Sequence, residues 1–374
     1  MKIGVPKESA EGERRVALVP DVAKSLQAKV SEKIDPVVEA GAGTAAGHPD
    51  AAYQDAGAQV ADAGAAWGAE VVLHVRPLSS EEIGKLRQGQ VVISHLSPLT
   101  AAESNKALAA AGVTAFAMEA IPRTTRAQAM DALSSQANLA GYAATLLAAR
   151  EAGQLFPMMT TAAGTVAPAK VMVLGAGVAG LQAIATAKRL GAIVTGFDIR
   201  RAAWEQIASL GGRPLELDFI PDAEGEGGYA RPLTEEENEQ VRQALAEAAA
   251  KMDVIITTAQ IPGRNAPVLI TEAAVRSMAP GSVIIDLAAD SGGNAEPSRP
   301  GETVDVDGVK VIGPANLVSD MAADASQLYA KNLENLLGLL VDEEGQLKID
   351  FEDDIVDAAC IAHEGEIRGE RTAK

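Results

Sequence analysis

The stretch "VMVLGAGVAGLQAIATAKRLGAIVTGFD", Val171–Asp198, decides the fold. It opens on an unbroken apolar run, Val171–Leu174, the pattern of a strand buried on both faces of a parallel sheet. Gly175, Gly177 and Gly180 follow as GxGxxG, and an alanine-rich helical pattern runs from Leu181 to Leu190. A second apolar run then ends on Asp198. Alone, GxGxxG is a weak signal. Between a strand and a helix, with an acid about 20 residues on, it is a strong one for a dinucleotide site. The first glycine permits the tight turn, the second lets backbone approach a pyrophosphate, and the third lets the helix pack close to the strand. The helix start turns the positive end of its dipole toward the phosphates. Asp198 suits the adenosine ribose hydroxyls and repels a 2′-phosphate, so NAD is expected over NADP. Arg200 and Arg201 read as surface residues in that choice.

Working outward from this unit, "AKVMVLGAG", "AIVTGFD", "DVIITTA", "SVIIDLA" and "VKVIGPAN" form one series of strands. "KIGV", "PVVEA", "AEVVLHV", "QVVISHL" and "VTAFAM" form an earlier one, with alanine-rich helical patterns between them. The expected class is α/β: two Rossmann-like doubly wound domains with parallel sheets, joined by long helices around a cleft. One domain spans 1–132 with 320–374, the other 133–319. The nicotinamide end of the cofactor should reach toward that cleft. "LDFIPDAEGEGGYARPLTEEE" is too long and too glycine-rich for an ordinary connection, and predicts a mobile loop near 219–236 carrying Tyr229. "MAADASQLYAKNLENLLGLLV" predicts a helix on the periodicity of Leu328, Leu333, Leu336, Leu337 and Leu340, returning the chain to the first domain and followed by an acidic tail, "DFEDDIVDAACIAHEGEI".

Composition narrows the function. The 374 residues are 47% hydrophobic, enough for two cores, and carry a formal charge of −19. Such acidity argues against nucleic acid and anionic lipid as partners. The lone Cys360 excludes an intrachain disulfide, and His48, His74, His95 and His363 are too scattered for a metal site, so no metal is expected. No apolar run has the length of a membrane span, and the N-terminus lacks the apolar core of a signal peptide. The chain is expected to be soluble and cytoplasmic.

The segment "RTTRAQAMDALSSQANLAGY", Arg123–Tyr142, has a different character. Taken as one helix, it places Gln128, Asp131, Ser134, Ser135 and Asn138 within an arc of roughly 120°. A solvated face would carry Glu, Lys and Arg. Amides and hydroxyls suit either a recess for a polar ligand or a polar interface between domains or subunits. Arg123, Asp131 and Ser134 offer the donors and acceptors that a nicotinamide carboxamide needs.

These motifs, with "MEAIPR", "EGGYA", "ITTAQIPGRNAP", "SVIIDLAADSGGN" and "AADASQLYAKNL", resemble the NAD(H)-binding alpha component of proton-translocating NAD(P) transhydrogenase along essentially the whole chain. The resemblance implies direct hydride transfer between NAD(H) held here and NADP(H) held on a partner subunit. Membrane-spanning partners would couple that transfer to proton movement. It also implies a homodimer at the inner face of the cell membrane, with no insertion of its own. Arg123, Asp131 and Ser134 would hold the carboxamide, and Gln128 would contact the nicotinamide ribose and align the second nucleotide. Tyr229 would lie on a closing loop. The cofactor set would comprise Gly175, Gly177, Val178, Ala179, Gly180, Asp198, Ile199, Arg200, Tyr229, Ala259 and Gln260. Val318 departs from the pattern, where a proline is usual.

Alanine dehydrogenase is a related alternative. It shares the "ERRVALVP" opening, with Arg15 as carboxylate ligand and His95 and Asp290 at catalytic positions, but His74, Val75 and Arg76 leave it without its lysine. A non-catalytic NAD-sensing module is a third.

Overall fold

The structure, a computed structural model, describes residues 1–217, 219, 231, 233–369 and 372–373. Most of the expected 219–236 loop, with Tyr229, lies outside the described residues. The chain divides into two compact units: Met1–Gln136 with Val318–Lys374, and Ala137–Leu317.

The strands of the first stretch are β1 (Lys2–Val5), β2 (Asp35–Glu39), β3 (Gln59–Ala61), β4 (Val71–Leu73), β5 (Val91–Ser94) and β6 (Thr114–Ala117). The second unit holds β7 (Met159–Thr161), β8 (Gly164–Val166), β9 (Lys170–Leu174), β10 (Ile193–Phe197), β11 (Arg213–Pro214), β12 (Val254–Thr257), β13 (Val283–Asp286), β14 (Thr303–Val306) and β15 (Val309–Ile312). The chain then returns to the first unit with β16 (Cys360–His363) and β17 (Glu366–Ile367).

The first sheet runs β17-β16-β6-β5-β4-β1-β2-β3 and the second β11-β10-β9-β12-β13-β15-β14. From β1 the first sheet grows outward in two parallel directions; the second does the same from β9. This is the doubly wound order in both units, with a topological switch point beside β1 and beside β9. Among the described residues the antiparallel pairs of these sheets are β6 with β16, β16 with β17 and β14 with β15. The central strands are β-branched and buried along their length, as strands covered on both faces must be: Val91–Ser94, Val254–Thr257 and Val283–Asp286 have no exposed residue.

One local expectation is corrected, and three further local findings join it. Arg123–Tyr142 is not one helix. Thr125–Met130 forms 3-10 turns, Asp131 breaks the chain at ψ +86°, and an α-helix runs from Ala132 to Glu151. The cause is capping: the Asp131 carboxylate accepts from Ser134 N at 2.8 Å and Ser134 Oγ at 2.6 Å, which satisfies the helix start. Gln128 is therefore out of register with Ser134, Ser135 and Asn138. Second, the acidic tail is structured. Its helix Asp354–Ala359 is capped by Asp353, and β16 adds to β6. Third, Leu328 is 40% exposed, whereas Leu333, Leu336, Leu337 and Leu340 are buried. Fourth, the β7–β8 hairpin had no signal in the sequence, because its strands are short, mostly Thr and Gly, and exposed on both sides.

Within the second unit, the helix Ala132–Glu151 crosses the helix Val178–Arg189 at a glycine. A Cβ on Gly141 would lie 2.0 Å from Ala179 O, and Thr145 Oγ1 donates to Ala183 O. No described helix is long and apolar enough to cross a membrane.

Candidate functional site

The glycine turn lies where β9 meets the switch point. Gly175 sits at φ +91°, and a Cβ there would meet Thr258 Oγ1 at 2.8 Å and Ala259 N at 3.1 Å. At Gly180 a Cβ would lie 1.8 Å from Gly175 O, so only glycine lets the helix start this close to the strand. Gly177 is the opposite case: a Cβ there meets nothing within 4 Å. The helix Val178–Arg189 begins with no side-chain cap, and Gly177 and Val178 are exposed. Its first backbone N–H groups, through Val178, Ala179 and Gly180, thus have neither an intrahelical partner nor a capping side chain.

Asp198 directly follows β10, beside this turn. Its Oδ2 accepts from Ala176 N at 2.8 Å and Arg200 Nη2 at 2.9 Å; its Oδ1 accepts from Arg200 N and Nε, both at 2.9 Å. Arg200 is half-buried and holds the carboxylate with a fork, which corrects its assignment to the surface. Arg201 is exposed, over the Trp204 ring. Ile199 packs on the core of the same unit. Ala259 and Gln260 follow β12. Ala259 N donates to Asn294 Oδ1, and Gln260 Nε2 donates to Leu287 O. The fold thus brings Gly175, Gly177, Val178, Ala179, Gly180, Asp198, Ile199, Arg200, Ala259 and Gln260 to the carboxyl ends of β9, β10 and β12.

The residues expected at the nicotinamide end belong to the first unit. Arg123 and Gln128 are exposed, and Asp131 and Ser134 are bonded to each other. Part of the polar face serves packing. Ser135 Oγ donates to Asn332 Oδ1, and Gln136 Nε2 to Ala325 O on the helix Ala322–Leu340. Asn332 Nδ2 also holds Ala129 O, next to Gln128.

Arg15 is committed. Glu13, whose side chain is fully buried, takes its Nε and Nη2 in a fork at 2.8 and 2.7 Å, and Nη1 donates to Gln136 Oε1. His95 stacks on Tyr329 and lies 3.7 Å from Glu119. His74, buried, has Nε2 at 3.4 Å from Glu8 and 3.6 Å from Glu82. Burial pushes the Glu8 carboxyl up to about 7. Asp290 is exposed in the second unit. Among the described residues no cluster of three or more His, Cys, Asp or Glu could hold a metal ion.

Sequence reasoning missed Thr258, Asp286 and Asn294. Thr258 Oγ1 donates to Gly175 O at 3.0 Å and so ties the β12 end to the glycine turn. A polar residue directly after an apolar strand was the available signal.

The family model described as alanine dehydrogenase/PNT, N-terminal domain, matches residues 4–140, and the one for the C-terminal domain matches residues 144–370. The chain is 48% identical to an NAD(P) transhydrogenase subunit alpha chain of Rhodospirillum rubrum, over 98% of this chain and 97% of the relative. A transhydrogenase structure from Sinorhizobium meliloti superposes with a TM-score of 0.86 at 44% identity, covering 99% of both chains. An alanine dehydrogenase of Halomonas elongata is 34% identical over 98% of this chain and 94% of its own length.

Proposed function

The chain belongs to the alanine dehydrogenase/PNT family, and from that premise we propose that it is the NAD(H)-holding component of an NAD(P) transhydrogenase, passing hydride directly between its own NAD(H) and NADP(H) held on a partner subunit. The observation that carries the reading is the open helix start at Gly177, framed by a turn that only glycines at 175 and 180 can form. Bound NAD(H) supplies the hydride-carrying ring. The amides of Val178, Ala179 and Gly180 hold the pyrophosphate, and the Asp198–Arg200 pair faces the adenosine ribose. Ala259 and Gln260 line the path beyond, and Tyr229 belongs to the covering loop. Arg123, Asp131 and Ser134 hold the carboxamide, and Gln128 aligns the second nucleotide. A hydride needs no acid–base group, so positioning and exclusion of water account for the residue types.

Amino-acid dehydrogenation is disfavoured by the fork that Glu13 closes on Arg15. It is also disfavoured by a histidine, His74, held between Glu8 and Glu82 where that reaction would want a lysine. A second copy of the chain is the proposed partner for the exposed apolar side chains of Tyr142, Leu146, Leu155, Met158, Met159 and Val166. Coupling to proton movement is assigned to membrane-spanning partner subunits.

The test mixes the purified chain with an NADP(H)-binding transhydrogenase component. NADPH should reduce an NAD+ analogue, and Gln128→Asn should slow that transfer while leaving NADH affinity nearly intact. Alanine with NAD+ should give no NADH. Alanine-dependent reduction at an enzymatic rate, with no transfer between nucleotides, overturns the reading.

A further inference from the structure

Two strands over from the glycine turn, β13 ends on Asp286, whose side chain is fully buried. Its Oδ1 accepts from Thr257 Oγ1 at 2.8 Å and Ala288 N at 2.9 Å; its Oδ2 accepts from Asn294 N at 2.9 Å and Ala295 N at 3.0 Å. The loop between them doubles back through Gly292 at φ +103° and Gly293 at φ +83°. A Cβ on Gly293 would come within 3.0 Å of Asp286 Oδ2. The loop therefore closes on a carboxylate, and what it delivers is Asn294.

Asn294 is fully buried. Its Oδ1 accepts from Ala259 N at 3.0 Å, while its Nδ2 donates to Ala259 O at 2.9 Å and to Pro267 O at 2.8 Å. One planar amide thus grips the N–H and the C=O of a single residue, as a neighbouring strand would, just beyond the end of β12. An amide alone offers an acceptor and two donors in one plane; a carboxylate offers acceptors only. Ala259 follows Thr258, which is bonded to Leu174 O through its N–H and to Gly175 O through its hydroxyl. The connected path is Asp286, Asn294, Ala259, Thr258, Gly175.

We propose that Asn294 is a positioning residue for the nucleotide site: its amide fixes the backbone at Ala259, and through Thr258 the Gly175 turn, in the conformation that receives NAD(H). The inference rests on the nucleotide site proposed above. Asn294 touches no cofactor; it sets the peptide planes that do.

The experiment titrates NADH against the full chain and its Asn294→Ala and Asn294→Asp variants from about pH 6 to about pH 9, with thermal unfolding followed at each pH. Asn294→Ala strands the Ala259 N–H and two carbonyls, and should raise the NADH dissociation constant about tenfold or more. Asn294→Asp should be about tenfold weaker at the alkaline end, where a carboxylate faces the Ala259 and Pro267 carbonyls. It should recover toward wild type at the acid end, where a neutral carboxyl again offers a donor beside an acceptor. Asn105 serves as the control: it is equally buried, lies in the other unit, and donates to Pro98 O and Ala373 O. Asn105→Ala should lower stability and leave NADH affinity unmoved. Folded Asn294 variants that bind NADH within about twofold of wild type at every pH overturn the inference alone. A wild-type chain that binds no NADH overturns the nucleotide site and the inference with it.

Discussion

The two units share a strand order and both set carboxylates against backbone N–H groups at their strand ends, as Asp198 and Asp286 do in the second; they differ in how the chain passes from the central strand to the helix that follows. In the first unit the strand ends carry three such glutamates. Lys7 N bonds to Glu39, Val75 N and Arg76 N to Glu8, and Leu96 N and Ser97 N to Glu119. The crossing from β1 takes residues 6–19, and the helix it reaches starts on Pro20, which has no N–H to offer. In the second unit β9 reaches its helix through Gly175–Gly177 alone, and no side chain caps that helix. A doubly wound sheet creates a crevice at its switch point in either case. Whether an outside anion can use it depends on whether the backbone donors there are already taken.

The largest effects come from two glycines, one in each unit, that press on backbone. A Cβ on Gly4 would lie 1.8 Å from Ala66 O, and one on Gly180 1.8 Å from Gly175 O. Both clashes are with backbone, so neither can be relieved by rotating a side chain. Gly4→Ala and Gly180→Ala should each cost about 3 kcal/mol in urea unfolding. Their NADH affinities should separate. Gly180→Ala should weaken binding about a hundredfold, because the helix start must shift, while folded Gly4→Ala should bind as wild type does. Equal loss of affinity in both would end the contrast between the units.

Gly177→Ala sharpens the same contrast without the clash. Its backbone at φ −77° suits alanine, and the space around it is open. Stability should change by less than about 1 kcal/mol, while NADH binding weakens about thirtyfold as the methyl occupies the space of the pyrophosphate. Unchanged binding would move the phosphates elsewhere. Smaller still is Asp198→Ala, which frees the Arg200 fork. The preference for NADH over NADPH should fall about tenfold, read from paired titrations; a preference that stays put would remove Asp198 from the choice.

These contrasts also mark what the sequence makes legible. The second unit announces itself, because a buried parallel strand, a GxGxxG turn and a terminal acid are each local and fall within Val171–Asp198. The class of the first unit was equally plain from its apolar runs. The carboxylates that close its strand ends were not: Glu8 and the amides of Val75 and Arg76 are far apart in the chain, and no local pattern joins them. The same holds for Asn294 and Ala259. The helix wheel through Arg123–Tyr142 failed for a local reason that could have been weighed. Asp131 with Ser134 three residues on is a capping pair, and it outweighed the helix propensity of the residues before it. In the β7–β8 hairpin neither burial nor alternation left a mark on the sequence.

The smallest effect tests the first unit's own charges. Burial pushes Glu8 up to about 7, against the pull of His74 and the Val75 and Arg76 amides. Burial opposes a charged His74, yet Glu8 and then Glu82 outweigh it and raise the imidazole above its ordinary 6.5. Both groups therefore hold a proton more tightly in the folded unit than in the unfolded chain, and folding is favoured where that proton is present. The Glu8 contribution is complete below its ordinary 4.5 and gone above about 7; that of His74 is complete below 6.5 and lost as the pH passes its raised value. Glu82, held low chiefly by its hydrogen bond to His74, works in the opposite direction, but only below its ordinary 4.5. Stability of this unit should thus fall by about 1 kcal/mol as the pH rises from about 5 to about 8. The chain has two tryptophans, Trp67 in this unit, with its ring 5.8 Å from His74, and Trp204 in the other. In a Trp204→Phe background, urea unfolding followed by Trp67 fluorescence reads the first unit alone. Adding Glu8→Gln removes one of the two titrating groups and the strongest upward pull on the other, so more than half of the slope should disappear. A slope of the opposite sign, or one that survives Glu8→Gln intact, would show that Glu8 and His74 do not set the pH dependence of this unit.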